Sequence, residues 1–162
     1  ALALADARPP WARCTVGDVR CLPGARNTVP ETVRIAIDIR HPQGEVLEQM
    51  RAELASLVEG EAARARVRGQ IEVVWHMPPT SFEPRLVELV EATARRLGYR
   101  HQRITSGAGH DSLNIARFAP TTMIFVPCAG GLSHNEAERA SPEDLEAGAN
   151  VLLHAVLAAA SE

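Results

Sequence analysis

The chain has 162 residues, 46% hydrophobic and 23% charged, with a net charge of −3 at neutral pH. That length fits one ordinary domain, able to hide roughly two-thirds of its unfolded surface, and the composition excludes a disordered chain. No apolar run nears the ~20 residues of a bilayer span, and the negative balance excludes a nucleic-acid binder driven by electrostatics.

Residues 1–8 have neither an initiator methionine nor a basic segment. No signal peptide is expected there, a cytoplasmic location is, and the sequence reads as a piece of something longer. Residues 14–22 predict a strand. Its apolar positions Val16, Val19 and Cys21 change parity around Gly17, which predicts a bulge. Pro23-Gly24 turns the chain, and residues 26–30 form an irregular connection.

Residues 32–40 give the clearest strand. Val33, Ile35, Ile37 and Ile39 alternate with Thr32, Arg34, Ala36, Asp38 and Arg40, so one face is buried and one polar. Pro42 and Gly44 end it. Leu47, Met50, Leu54 and Leu57 then follow the 3.6-residue period of a helix over 45–66, which Gly69 breaks. A third strand is predicted over 70–76, with Ile71, Val73 and Trp75 on one face. An antiparallel sheet covered by a helix fits this order.

The character then changes. Residues 77–81 (MPPTS) predict a rigid, extended linker. A helix follows over 84–97, with Pro84 in its first turn and Gly98 just past its end. A short strand is expected over 100–104, then a glycine-rich loop over 105–110. Asp111 can cap a short helix running to Phe118. The apolar run 122–126 predicts a strand buried on both faces, and a second glycine-rich loop runs over 127–140. Ser141 caps the last helix, with Pro142 at its first position and Asp144 three residues on. Leu145, Leu152 and Val156 should line its buried face. The fold class is α/β in two characters: an antiparallel α+β part over 1–77 and a βαβα part over 78–162. Neither is complete by itself.

In open α/β sheets ligands bind beyond the carboxyl ends of the strands. If the strands over 100–104 and 122–126 are parallel neighbours, both glycine-rich loops share one rim. Those loops hold Ser106, Gly107, Gly109, His110 and Asp111, then Gly130, Gly131, Ser133, His134, Glu136 and Glu138. Glycines there would let backbone N–H groups approach an anion. A histidine beside a carboxylate is a fixed imidazole for metal binding or proton transfer. Plainer readings stand beside these: a tight turn, a helix cap, a surface histidine. One histidine is not a metal site, since a catalytic zinc needs about three protein ligands. Cys14, Cys21 and Cys128 form no paired motif, and Cys128 has no evident base, so neither a disulfide framework nor a thiol nucleophile is expected. In the first part, Asn27 precedes a strand that Arg40 ends. Arginine suits bidentate carboxylate recognition; the plain alternative is an exposed edge arginine.

Four motifs, taken together, are more specific. The strings 106–111 (SGAGHD), 123–127 (MIFVP) and 131–136 (GLSHNE) resemble C-terminal signatures of the amidase, hydantoinase/carbamoylase family. Residues 26–30 (RNTVP), followed by 38–40 (DIR), resemble its lid signature at matching spacing. That family includes N-carbamoyl-L-amino-acid hydrolases, β-ureidopropionases and allantoate amidohydrolases.

The resemblance implies a fragment of a two-domain, zinc-peptidase-like hydrolase. Residues 1–77 would belong to a lid or dimerisation domain, and 78–162 to the end of the catalytic domain. Residues 1–7 would end a lid helix. His134 would be a metal ligand, while Asn27, Arg40, Gly109 and His110 would bind substrate and Asp111 would orient its loop. Implied partners are a small ureido or amide substrate and a second copy paired through the lid, without nucleic acid or membrane. Two divalent cations (zinc, or manganese, cobalt or nickel) are implied for the complete enzyme. The family's other ligand motifs and its general-base glutamate are absent from this chain, so the isolated chain is expected to be inactive. A non-catalytic dimerisation or binding module, and a peptidase or aminoacylase relative, are the alternatives.

Overall fold

The computed structural model describes residues 2–161; Ala1 and Glu162, the outer ends of the two expected parts, lie outside the described residues. The chain forms two compact units, 1–79 and 80–162.

In the first unit, helix α1 (Leu2–Asp6) leads into strand β1 (Arg13–Leu22), strand β2 (Thr32–Arg40) and the long helix α2 (Gly44–Ala65). The two strands pair antiparallel, from Arg13 opposite Arg40 to Leu22 opposite Thr32. The expected bulge lies between Val16 and Asp18. It turns the strand by one residue, so Cys14, Val16, Val19 and Cys21 all oppose Ile39, Ile37, Ile35 and Val33 on one apolar face. The other face carries Arg13, Thr15, Asp18 and Arg20 against Arg40, Asp38, Ala36 and Arg34.

Helix α2 covers only the Ile39 end of the apolar face. Met50 is fully buried with Leu4 and Ala12, and Ile39, Val46 and Leu54 pack against them. Val19, Ile35 and Val33 remain half-exposed or more. The end of α2 differs from expectation. Arg66, at φ 56°, takes the left-handed cap and donates its N–H back to Ala62 and Ala63. Gly69 has another use: a Cβ there would lie 2.9 Å from Val58 Cγ1 and 3.0 Å from Ala62 Cβ, so glycine lets the chain run close along the helix.

The expected strand over 70–76 is not formed: the sheet among the described residues has two strands. A strand is defined by a neighbour that takes its N–H and C=O groups, and this segment has none. Ile71, Val73 and Trp75 are accordingly exposed, not buried.

In the second unit, α3 (Pro84–Arg96), α4 (Asp111–Ile115), a single 3-10 turn (Ala129–Gly131) and α5 (Pro142–Ala159) follow in order. Helix α3 ends as expected, with Leu97 as cap and Gly98 left-handed at φ 78°. Helices α3 and α5 pack together, burying Thr93 and Ala94 of one and Val151 and Ala155 of the other. Asn150 Nδ2 donates to Tyr99 Oη at 3.0 Å. Ser141 caps α5 by accepting from the Asp144 N–H at 3.0 Å.

Three further expectations are corrected. Segments 100–104 and 122–126 are not strands among the described residues, because neither has a ladder partner. Leu145, Leu152 and Val156 are more than half exposed, since α5 buries its Val151 and Ala155 face and no strand among the described residues covers the other. Helix α4 stops at Ile115, short of Phe118, and its cap is His110, with Asp111 as the first helical residue.

Candidate functional site

Three groups of candidate residues stand out, one in the first unit and two in the second. In the first, Arg40 is the last residue of β2. Residues i and i+2 of a strand share a face, and Asp38 uses that spacing. Arg40 Nε donates to Asp38 Oδ1 at 2.6 Å and Nη2 donates to Oδ2 at 3.2 Å, a two-pronged ion pair. The Asp38 hydrogen bond holds the guanidinium above its ordinary pKa, against a smaller opposing effect of burial. Across the ladder stands Arg13, whose Nη1 donates to the carbonyls of Pro10 and Ala12 at 2.6 and 2.9 Å. Asn27 lies in a turn of the β1–β2 connection, exposed, with no side-chain hydrogen bond among the described residues. The sequence names Arg40 as the candidate and sets Asp38 on the same face; the structure adds the ion pair between them.

In the second unit, His110 sits half-buried at the start of α4. Its Nε2 shares a hydrogen bond of 2.8 Å with Ser106 Oγ, which also accepts from the Ala108 N–H at 3.2 Å. Its ring meets Phe125 edge-on at 5.5 Å, and Ser112 Oγ donates to Met123 Sδ. The first glycine-rich loop is thus tied to segment 122–126 by side chains, although no ladder joins 100–104 to 122–126. Gly109 precedes the histidine and is exposed. An imidazole fixed at Nε2 leaves Nδ1 for a ligand.

His134 is exposed, with a left-handed backbone at φ 57°. Few residues other than glycine and asparagine adopt this conformation without cost. Glu138 supports it: its Oε2 accepts the His134 backbone N–H at 2.9 Å, and its Oε1 accepts from Cys128 Sγ at 3.5 Å. The loop is closed further by Ala129 N–H to the Arg139 carbonyl at 2.8 Å and Glu138 N–H to the Asn135 carbonyl at 2.9 Å. Burial first, then Glu138, pushes the Cys128 thiol above its ordinary pKa. The bracing role of Glu138 was not foreseen; a glutamate four residues after a loop histidine carries no distinctive pattern.

Among the described residues no group of three or more histidine, cysteine, aspartate or glutamate side chains could hold a metal ion. The described residues do not group into a metal site on their own. No hydrogen bond or ring contact joins His110 to His134 among the described residues. No helix among them is long and apolar enough to cross a membrane.

Comparison with known proteins adds to this geometry. The pattern of peptidase family M20/M25/M40 matches residues 11–158. The N-carbamoyl-L-amino-acid amidohydrolase of Rhizobium meliloti is 47% identical over 148 residues, covering 91% of this chain and 36% of that enzyme. The allantoate amidohydrolase of Bacillus subtilis (strain 168) is 35% identical over 147 residues, again 91% of this chain and 36% of the relative. The crystal structure of an amidase of the hydantoinase/carbamoylase family from Burkholderia multivorans superposes with a TM-score of 0.90 at 44% identity. It is matched over 99% of this chain and 39% of its own. The chain therefore spans little more than a third of the relatives it matches.

Proposed function

The chain belongs to peptidase family M20/M25/M40, and we propose that it is the C-terminal part of an amidohydrolase cleaving linear C–N bonds. The favoured substrate is an N-carbamoyl-L-amino acid or an allantoate-type ureido acid. The observation that carries the proposal is the 47% identity to the Rhizobium meliloti N-carbamoyl-L-amino-acid amidohydrolase over 91% of the chain.

Each candidate residue has a role in this reading. Arg40 meets the substrate carboxylate with a planar, permanently charged fork, and Asn27 adds an amide hydrogen bond. His110, fixed by Ser106 and Phe125, contacts the polar end of the substrate beside Gly109. His134 gives one imidazole to a divalent-metal centre whose other ligands lie outside this chain. The unit over 1–79 would serve as lid and dimer contact, and the unit over 80–162 as the end of the catalytic domain. The protein would work in the cytoplasm.

What this chain's own residues do is orient. Arg40 would hold the carboxylate of a linear substrate, and His110 would offer its imidazole to a polar group of a substrate, each acting within its own unit. The isolated chain, with no group of metal ligands among its described residues, would be inactive.

The test is a substrate panel on the full-length enzyme: N-carbamoyl-L-amino acids, allantoate, ureidoglycolate, N-acyl amino acids and dipeptides, with product amine or ammonia measured. Turnover confined to the ureido acids supports the proposal. Preference for N-acyl amino acids or peptides would place the protein with the aminoacylases or peptidases. No turnover of any of them would favour a non-catalytic binding or dimerisation module.

A further inference from the structure

We infer that Asp38 is a positioning residue for Arg40, setting the affinity of the enzyme for the substrate carboxylate. This rests on the reading of Arg40 as the carboxylate-binding residue.

The polar face of the β1–β2 ribbon places Arg13 directly opposite Arg40, and neutral Thr15 opposite Asp38. Like charges opposed across a ladder are unfavourable. Asp38 is the one carboxylate among the residues paired at this end of the ribbon face, and it holds two N–H groups of Arg40 at 2.6 and 3.2 Å. Arg13 is turned to the Pro10 and Ala12 carbonyls. The Arg40 side chain is about half exposed. Ordering an exposed arginine side chain each time a ligand binds carries a cost. Asp38 meets part of that cost in the free protein through two N–H groups of Arg40. A second pair of the same spacing, Arg20 Nε to Asp18 Oδ2 at 2.6 Å, lies on the same face without a candidate ligand residue. It serves as an internal control.

Asp38 has two separable effects. It orients Arg40 and it offsets its charge. Asp38→Ala removes both; Asp38→Asn keeps an acceptor and removes the charge. If orientation governs, Asp38→Ala raises KM roughly three- to ten-fold, the cost of immobilising one rotamer-rich side chain. In that case kcat is little changed and Asp38→Asn returns KM most of the way. If charge offset governs, both variants lower KM together.

The experiment measures kcat and KM of the full-length enzyme for a carboxylate substrate and for its carboxamide analogue. The variants are Asp38→Ala, Asp38→Asn, Arg40→Ala and Asp18→Ala, each with its thermal midpoint. The expected result is a KM rise in Asp38→Ala for the carboxylate substrate only, rescue by Asp38→Asn, and no change in Asp18→Ala. An unchanged KM in Asp38→Ala beside a raised KM in Arg40→Ala overturns the inference and leaves the role of Arg40 standing. An unchanged KM in Arg40→Ala overturns both. A rise for the carboxamide as large as for the carboxylate, or a fall in both Asp38 variants, also overturns it. Should Asp38→Ala fail to fold, Asp38→Asn decides together with the double variant that combines it with Arg40→Ala. A positioning role then predicts that the effect of Asp38→Asn vanishes once Arg40 is gone, and an effect that persists rejects it.

Discussion

Replacing His134 by glycine should separate a functional histidine from a structural one. The side chain is exposed and makes no hydrogen bond to the described residues; only its backbone N–H is held, by Glu138 at 2.9 Å. At φ 57° the left-handed conformation costs a residue with a Cβ about 1 kcal/mol. Glycine removes that cost. It returns a similar amount, roughly 0.4–1 kcal/mol, through the greater freedom of the unfolded chain. Because no packed surface is lost, the two effects nearly cancel, and the net change should stay within about 0.5 kcal/mol. His134→Asn should behave alike, since asparagine also tolerates this conformation. Activity should respond differently: a donor removed from a metal centre should cost more than the 10- to 100-fold typical of groups that only support a ligand. The assay pairs urea unfolding of the full-length enzyme with kcat/KM and bound-metal stoichiometry. A stability loss well above 1 kcal/mol would show that the imidazole is a structural contact. Full activity with an unchanged metal content would refute its assignment as a donor.

Three other outcomes test the fold and the electrostatics. Met50→Ala empties the fully buried position of the first unit's core and should destabilise the protein by about 2–5 kcal/mol in urea unfolding. Gly148→Ala places a Cβ 2.4 Å from Val126 Cγ1. The overlap with a stiff β-branched side chain should outweigh the ~1 kcal/mol gain in helix propensity, lowering the thermal midpoint. Glu91 is held below its ordinary carboxylate pKa of 4.5 chiefly by its hydrogen bond from Arg103. A depressed pKa stabilises the folded state above the ordinary value and loses that effect as pH falls through the folded value. Glu91→Gln should therefore lower stability slightly at neutral pH and match the parent in acid, as read by midpoints against pH.

The elements that were legible in the sequence are those whose determinants are local. The strand over 32–40 declares itself because its alternation is unbroken and its hydrogen-bond partner, β1, lies within the chain. The parity change at Gly17 locates the bulge for the same reason, as the face can stay apolar only if one residue is skipped. The α5 cap needs only Ser141, Pro142 and Asp144. Segments 70–76, 100–104 and 122–126 have equally strand-like patterns but no ladder neighbour among the described residues. The apolar Leu145, Leu152 and Val156 side of α5 is uncovered in the same way. Pattern records which face is meant to be buried; burial itself requires the partner. The relatives are matched over little more than a third of their length, which agrees with apolar faces that this chain does not cover.

The candidate site obeys the same division. His110 and His134 are conspicuous because each stands in a glycine-rich loop beside a carboxylate in sequence. The side chains that hold them in space are different ones. Asp111, adjacent to His110, begins a helix, while Ser106 holds the ring. Glu136, two residues from His134, has no such contact, while Glu138 fixes the histidine's backbone. Asp38 holds Arg40 because a strand brings i and i+2 onto one face, whereas a loop lets residue i+4 return to the backbone of residue i. The supporting groups thus lie two or four residues away, selected by local geometry and not by adjacency. They became legible only after β2 and the 128–138 loop were in place.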